Sequence, residues 1–204
     1  MTNLVHDLKD PRRATIVRQA RQHFVTHGFT ATRMEPVARE SGVSTATLYG
    51  FFESKTALFE AVLNAATEEI SERLEALPTE TGSVQDRLNA LLAFYAEFLS
   101  NEDVQAVFRL VLAERHRFVD VSSRFFERGR NRFGASLIAL IKKLDKSGDL
   151  KVKNSTVAAG QLMGMIEHSI FFLPLIDDEE ADTNRSPQQI AEDAVETFLA
   201  RYKA

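Results

Sequence analysis

The chain has 204 residues, which allows one large domain or two small ones, and its composition is 44% hydrophobic and 26% charged, as in an ordinary globular protein. It contains no cysteine, which excludes disulfides, thiolate metal sites and cysteine nucleophiles. The first ten residues are polar, and the longest apolar run, residues 170–176, contains Pro174 and is too short to cross a bilayer. We therefore expect a cytoplasmic protein with no membrane partner.

The net charge of −4 is distributed unevenly. Residues 1–60 carry a formal charge of +2, and the rest of the chain carries −6. A mildly basic N-terminal segment followed by an acidic remainder is typical of a DNA-binding module attached to a domain that does not bind DNA.

Hydrophobic residues recur at helical spacing along almost the whole chain, and no stretch shows sustained two-residue alternation. The sequence therefore predicts an all-α protein of three short helices, a connecting helix and a larger helical domain. The predicted helices cover, in chain order, residues 11–27, 33–40, 45–52, 55–77, 84–99, 104–116, 119–146, 156–173 and 187–203. Residues 177–184 begin with four consecutive carboxylates and are predicted to form an acidic loop.

Capping signals mark the ends of the first helices. Gly28 suits the position just past a helix end. Thr32 and Glu35 have the spacing of a capping box, which predicts a helix start at this point. Ser44 and Ser54 are placed to cap the next two helices.

A tight turn is predicted between the second and third helices. Ala38 is small enough to let two helices approach, and Gly42 can adopt the positive φ that such a turn requires. Val43 and Leu48 would fill the space between the helices. Because the third helix has little else to bury, its remaining side chains are predicted to be exposed, as in a helix-turn-helix whose second helix enters the major groove.

Residues 38–59 read ARESGVSTATLYGFFESKTALF. Together with Phe24, Gly28, Phe29 and Thr32, this stretch resembles the signature of the TetR family, and the resemblance covers about residues 12–62. It implies an all-α homodimer with an N-terminal helix-turn-helix DNA-binding domain, placed at residues 1–54, and a C-terminal domain for ligand binding and dimerisation at 55–204. Residues 55–77 would connect the two. The implied partners are double-stranded DNA with a palindromic operator, a second copy of the chain and a small apolar inducer, with no cofactor.

Lys55 occupies a helix N-terminus, where the helix dipole disfavours a cation. No structural reason for a lysine at this position is evident from the sequence, whereas a DNA phosphate would provide one. The residues predicted to contact DNA are Arg12, Arg13, Thr32, Arg33, Ser44, Thr45, Ala46, Thr47, Tyr49, Gly50, Phe51 and Lys55.

The predicted recognition helix contains no Arg, Asn or Gln, so bidentate readout of guanine or adenine from it is not expected. Thr45 and Thr47 are candidates for base contacts, although Thr45 also suits helix capping. Gly50 departs from many family members, which carry a larger or basic residue there. Specificity is therefore expected to depend on DNA shape and on neighbours such as Arg33.

The C-terminal part is rich in phenylalanine, which fits either a helical core or an aromatic pocket for an apolar ligand. Residues 109–114, 117–118 and 125–129 resemble the AefR-like C-terminal subgroup of the family, some members of which control efflux or quorum-related genes. His168 is another candidate polar partner of a ligand, with a surface or interface position as the alternative. The predicted ligand-binding residues are Phe94, Tyr95, Phe98, Phe108, Leu112, Met163, Glu167 and Phe171.

Gly160 and Gly164 lie four residues apart on one helix, a spacing that lets another helix approach closely. They predict a two-fold helix-bundle interface, with packing inside the chain as the alternative. The predicted dimer-interface residues are Gly160, Gly164, Ile166, Ile170, Ile190, Ala194 and Phe198.

An enzyme and a protein-binding adaptor are the two other function classes to consider for such a chain. No nucleophile elbow, HExxH zinc motif or phosphate loop is present, which disfavours an enzyme. His23 and His27 are spaced for a shared metal but lack a third ligand, so no metal site is predicted. A helical protein-binding adaptor remains the alternative, and it would show no salt-dependent retention on DNA.

Overall fold

The computed structural model describes residues 10–75, 77, 81–176 and 184–204, except for the side chains at 69–73, 75, 129–130 and 176. Most of the predicted acidic loop, residues 177–183, lies outside this part. The described helices are α1 (Pro11–Ala31), α2 (Met34–Glu40), α3 (Thr45–Phe51), α4 (Lys55–Glu75), α5 (Val84–Ser100), α6 (Glu102–Glu114), α7 (Val119–Lys146), α8 (Ser155–Glu167), α9 (Leu173–Ile176) and α10 (Pro187–Tyr202). Within those ranges the only β pairing is an isolated bridge between Leu150 and Lys203, so the all-α prediction is confirmed.

The chain forms two compact units. The first comprises Met1–Glu69, described from residue 10 onward, together with Ala106–Phe125. The second comprises Ile70–Gln105 and Phe126–Ala204. These divisions fall within α4, α6 and α7, and they differ from the predicted boundary after residue 54.

The first unit has an aromatic core. Phe24 and Phe59 are fully buried, and Phe29 is 2% exposed. The Phe59 ring meets each of the other two edge-on, with centroids 5.3 Å apart. Phe118, from the later segment of this unit, packs edge-on against Phe29 at 4.6 Å. Edge-to-face contacts of this kind stabilise a core beyond the area they bury.

The second unit is built mainly from α5, the later part of α7, α8 and α10. Its core is largely aliphatic, with Leu88, Leu92, Leu137, Ile141 and Leu144 all fully buried. Capping boxes begin α5 and α10, so two of the principal helices have satisfied N-terminal N–H groups.

The predicted helix 156–173 is interrupted in the structure. Helix α8 ends at Glu167 and is followed by a π-helical turn, His168–Phe172. The buried side-chain amide of Gln105 donates hydrogen bonds to the Leu99 oxygen at 3.0 Å and to the Ile170 oxygen at 3.1 Å. Gln105 thus satisfies a carbonyl within the π-helical turn. None of the described helices is long and apolar enough to cross a membrane.

Candidate nucleic-acid interface

The turn between α2 and α3 has the predicted helix-turn-helix geometry. Gly42 has a φ of +69°, in the left-handed region that favours glycine. Ala38 is 1% exposed, and Leu48 of α3 is fully buried. The Thr47 N–H donates to the Ser44 hydroxyl at 3.0 Å, so Ser44 caps α3 as predicted.

Burial of Leu48 leaves the opposite side of α3 open to solvent. Tyr49 is 46% exposed, and Ala46 and Gly50 are also exposed. Gly50 has open space around it, since a Cβ added there would have no neighbour within 4 Å. Thr45, Thr47 and Phe51 are partly buried, and the Thr47 hydroxyl lies 2.8 Å from that of Ser44.

Two arginines at the start of α1 stack on aromatic rings beside α3. The guanidinium of Arg12 lies 5.6 Å from the centroid of Phe51, and that of Arg13 lies 5.1 Å from the centroid of Phe52. Arg12 also pairs with Asp10 at 2.7 Å, and the hydrogen bond and charge of this carboxylate raise the pKa of Arg12. Arg12 is therefore cationic on the surface, although a phosphate would have to compete with Asp10.

Thr32 does not form the predicted capping box. The residue at the N-cap of α2 is Arg33, which makes no side-chain cap bond and is exposed. Thr32 is 2% exposed, and its hydroxyl donates to the carbonyl oxygens of Gly28 at 2.7 Å and His23 at 3.0 Å. Its side chain closes the end of α1, where Gly28 has a φ of +74°, and is not available to DNA.

Lys55 has a structural role that its sequence position does not reveal. Its ammonium donates to the carbonyl oxygens of Thr30 at 3.1 Å and Thr32 at 2.8 Å, and it lies 4.6 Å from the centroid of the Phe29 ring. Desolvation by burial lowers its pKa, and the nearby charge of Arg117 lowers it further, while Glu114 raises it. The expectation that structure gives no reason for a lysine here is therefore wrong. One of the three ammonium N–H groups remains for another acceptor.

Arg117 is the residue of this region that sequence reasoning missed. It donates to the Thr30 hydroxyl at 3.1 Å, across 87 positions of sequence, and lies 4.8 Å from the Phe29 centroid. No local pattern connects such distant positions, so the sequence itself gives no signal for this contact.

The predicted ligand-binding residues divide between the units. Phe108 and Leu112 belong to the first unit, and the other six belong to the second. Tyr95 and Glu167, both predicted as polar partners of a ligand, are hydrogen-bonded to each other, with the Tyr95 ring stacked on Phe133 at 3.9 Å. Burial raises the pKa of Tyr95, and the charge of Glu167 raises it further.

The remaining candidates in the second unit differ in burial. Phe94 and Met163 are 6% and 9% exposed, whereas Phe98 and Phe171 are only partly buried. His168 is exposed at the start of the π-helical turn. In the described part of the chain, no cluster of three or more His, Asp or Glu residues is arranged to hold a metal ion.

Most of the predicted dimer-interface residues lie inside the second unit. Five of the seven are 6% exposed or less and form part of its own core: Ile166, Ile170, Ile190, Ala194 and Phe198. These five side chains therefore follow the alternative of packing inside the chain. Gly160 and Gly164 are exposed, and a Cβ added to either would meet nothing within 4 Å.

Comparisons with known proteins agree with this architecture. Residues 86–204, more than half of the chain, match the family model "AefR-like transcriptional repressor, C-terminal domain". Residues 16–62 match "Bacterial regulatory proteins, tetR family". The chain belongs to the TetR family. It is therefore a DNA-binding transcriptional regulator with an N-terminal helix-turn-helix and a C-terminal helical domain.

Individual relatives share the family fold. A TetR-family regulator from Mesorhizobium loti superposes with a TM-score of 0.84 at 25% identity, covering 95% of this chain and 97% of that one. The flavonoid-responsive regulator FrrA superposes with a TM-score of 0.76 at 25% identity, covering 94% and 97%. The transcriptional activator FasR of Mycolicibacterium smegmatis is 34% identical over 95 residues, 46% of this chain, which spans only 43% of the length of FasR.

Proposed function

We propose that the chain is a homodimeric repressor that binds a palindromic operator and is released from it by a small apolar molecule. The observation that carries the DNA-binding part is the exposed side of α3. This helix is fixed by its Ser44 cap and by fully buried Leu48, and it presents Tyr49 to solvent at 46% exposure. An exposed helix held in this way is what a helix-turn-helix protein inserts into the major groove.

The contacts we assign to DNA fall into two groups. Arg12, Arg13, Tyr49 and Lys55 would contact the phosphate backbone and set the position of the protein. Ala46, Thr47 and Gly50 would face the bases, by methyl contact with thymine or by close approach of the helix backbone. Ser44, Thr45 and Phe51 would border these contacts.

Base reading from α3 would be weak because the helix carries no Arg, Asn or Gln. Arg33 is exposed at the start of α2 and has a long side chain. We assign it to a further DNA contact, for example in a narrow minor groove, where an arginine senses the shape of the DNA. We therefore propose that operator choice depends substantially on DNA shape.

The proposed dimer interface lies on the outer side of α8. Gly160 and Gly164 are exposed on α8, and two apolar side chains of the same stretch, Val157 in α8 and Phe172 in the π-helical turn, are each 54% exposed. We assign these residues to one surface, since a contiguous exposed apolar patch marks an interaction site. We assign a second copy of the chain as the partner, because a palindromic operator requires two helix-turn-helix units related by a two-fold axis.

Sedimentation of Gly164→Arg against wild type would test the interface. The added side chain would hold the two helices apart, and the variant should sediment as a monomer. Ala200→Arg is the control, because it places the same side chain on the exposed surface of α10. Loss of dimer in the Ala200 variant alone would contradict the assignment.

The proposed inducer is small and apolar, and its binding site lies in the second unit. Phe94, Phe98, Met163 and Phe171 supply apolar side chains suited to such a ligand. The paired Tyr95 and Glu167 would respond to it as a unit, since displacing one leaves the other without its partner. The relative FrrA is named as flavonoid-responsive, which makes planar aromatic compounds the first class to screen.

The experiment that tests this function is selection of random DNA fragments by the purified protein, followed by sequencing. Enrichment of a palindromic motif is expected, and Tyr49→Ala should reduce it without changing thermal unfolding. Failure of the folded protein to enrich any DNA at low salt would favour the alternative of a helical adaptor. Expression of a reporter gene placed behind the selected site then distinguishes the two modes of regulation. A repressor lowers the expression, whereas an activator, as the relative FasR is named, raises it.

A further inference from the structure

The segment Ala106–Phe125 lies far along the chain from the helix-turn-helix but belongs to the same compact unit. Phe118 anchors it, with its ring centroid 4.6 Å from that of Phe29 and 5.4 Å from that of Phe59. Both partner rings are buried in the core of the DNA-binding unit. The turn between α6 and α7, which carries Arg117, is therefore positioned by the same core that positions α1 and α4.

Arg117 and Lys55 converge on the same two residues. Arg117 donates to the hydroxyl of Thr30 at 3.1 Å, while Lys55 donates to the carbonyl oxygen of Thr30 at 3.1 Å. Both cations also lie against the ring of Phe29, at 4.8 Å and 4.6 Å from its centroid. Two positive side chains are thus held next to each other by one threonine and one phenylalanine.

Neither cation forms an ion pair with a carboxylate among the described residues. The proximity of Arg117 contributes to the lowered pKa of Lys55, and Glu114 offsets this effect only in part. Like charges held together without a bridging anion repel each other, and bringing an anion to both would remove that cost. Both side chains also retain N–H donors, because the bonds to Thr30 and Thr32 use two of three on Lys55 and one of five on Arg117.

We propose that Arg117 and Lys55 together bind one phosphate group of the DNA backbone, so that the turn between α6 and α7 is part of the DNA-contacting surface. This inference rests on the proposed function, because it adds a second ligand to the phosphate contact assigned to Lys55. It places a residue of the C-terminal family match in direct contact with DNA.

The chemistry of the pair fits a phosphate. A guanidinium presents two parallel N–H groups to a phosphate, and Arg117 is exposed. Lys55 begins α4, and the positive end of that helix dipole also favours an anion. If Arg117 only stabilised the fold, its contacts with Thr30 and Phe29 would suffice. In that case the salt dependence of DNA binding would be the same in wild type and in Arg117→Gln.

The test is the salt dependence of binding by the full chain to a random duplex of roughly 30 base pairs, long enough for two half-sites. Arg117→Gln removes the charge but keeps a long side chain able to donate to Thr30. Arg115→Gln is the matched control, because Arg115 is exposed in the same turn and bonds only to the Leu112 oxygen, at 3.0 Å. Thermal unfolding of both variants establishes that they are folded, and Arg117→Lys serves as a second variant that keeps the charge.

The expected result is a shallower slope of log K against log salt and a weaker affinity in Arg117→Gln, with a loss of slope below the roughly 0.9 per protomer that removal of a whole phosphate contact would give, because Lys55 still contacts the same phosphate. Arg115→Gln should keep the wild-type slope, and Arg117→Lys should restore most of it. A wild-type slope in Arg117→Gln, or an equal loss in both glutamine variants, would overturn the proposal. Absence of wild-type binding to DNA would instead overturn the proposed function itself.

Discussion

The two units use polar side chains in opposite ways. In the first unit, the cations Arg12, Arg117 and Lys55 remain at or near the surface, where they stack on aromatic rings and bond to groups of neighbouring residues. In the second unit, the Tyr95 hydroxyl is bonded to Glu167 within a mostly aliphatic core. The first arrangement keeps charge available for an external anion, whereas the second makes the hydrogen bond between buried Tyr95 and partly buried Glu167 part of the fold. A change at the surface of the first unit should therefore alter binding, and a change to the pair of Tyr95 and Glu167 should alter stability.

The largest expected change in stability comes from disrupting the aromatic core of the first unit. Phe59→Ala removes a fully buried ring that contacts Phe24 and Phe29, and it should lower the free energy of unfolding by about 3–5 kcal/mol. Chemical denaturation measures this change. Val119→Ala, at a 60% exposed position of the same unit, is the control and should cost far less. Equal losses would contradict the assignment of the core.

A change to the pair of Tyr95 and Glu167 should be next in effect. Tyr95→Phe removes the hydroxyl that bonds to Glu167 and should cost about 1–3 kcal/mol at neutral pH, because the carboxylate loses its donor.

The same pair predicts a pH dependence. The folded pKa of Tyr95 is raised above its ordinary value of 10.0, so the unfolded state loses this proton first as pH rises. The contribution of neutral Tyr95 to stability is complete below that value and declines above it. Denaturation between neutral and alkaline pH should show this decline in wild type and less of it in Tyr95→Phe. Parallel profiles for the two proteins would be inconsistent with a buried, neutral tyrosine.

A smaller pair of changes tests the helix-turn-helix backbone. Gly42 has a φ of +69°, so Gly42→Ala should destabilise the protein by about 1–2 kcal/mol. Gly50 lies within α3 with open space around it, so Gly50→Ala should stabilise the helix by about 0.5–1 kcal/mol. Thermal unfolding of the two variants side by side compares them. The same sign of change in both would show that the turn geometry is misplaced.

The sequence predicted the parts of this fold whose causes are local. The left-handed Gly42, the Ser44 cap and buried Leu48 each follow from a residue and its immediate neighbours. Most helix boundaries agree within a few residues for the same reason, except that the helix predicted over 156–173 ends at Glu167. The hydrogen bonds of the Thr32 hydroxyl and of the Lys55 ammonium were not predicted, because their acceptors lie at the end of α1, where the helix bends at Gly28.

The contacts that the sequence did not predict are those between residues far apart along the chain. Ile166 and Phe198 have the apolar spacing of an interface, but that spacing is the same whether the partner is another helix of the chain or a second copy. Tyr95 and Glu167 are separated by 72 positions, and their mutual bond follows only from the packing of α5 against α8. The contact between Arg117 and Thr30 depends on tertiary structure in the same way.

The most direct test of the central claim is the DNA affinity of Tyr49→Ala, measured with a fragment recovered by selection. Tyr49 is 46% exposed, so its removal should leave thermal unfolding unchanged. A loss of about tenfold or more in affinity, equivalent to roughly 1.4 kcal/mol, is the predicted result. Wild-type affinity in this variant would contradict the assignment of α3 as the helix that contacts DNA.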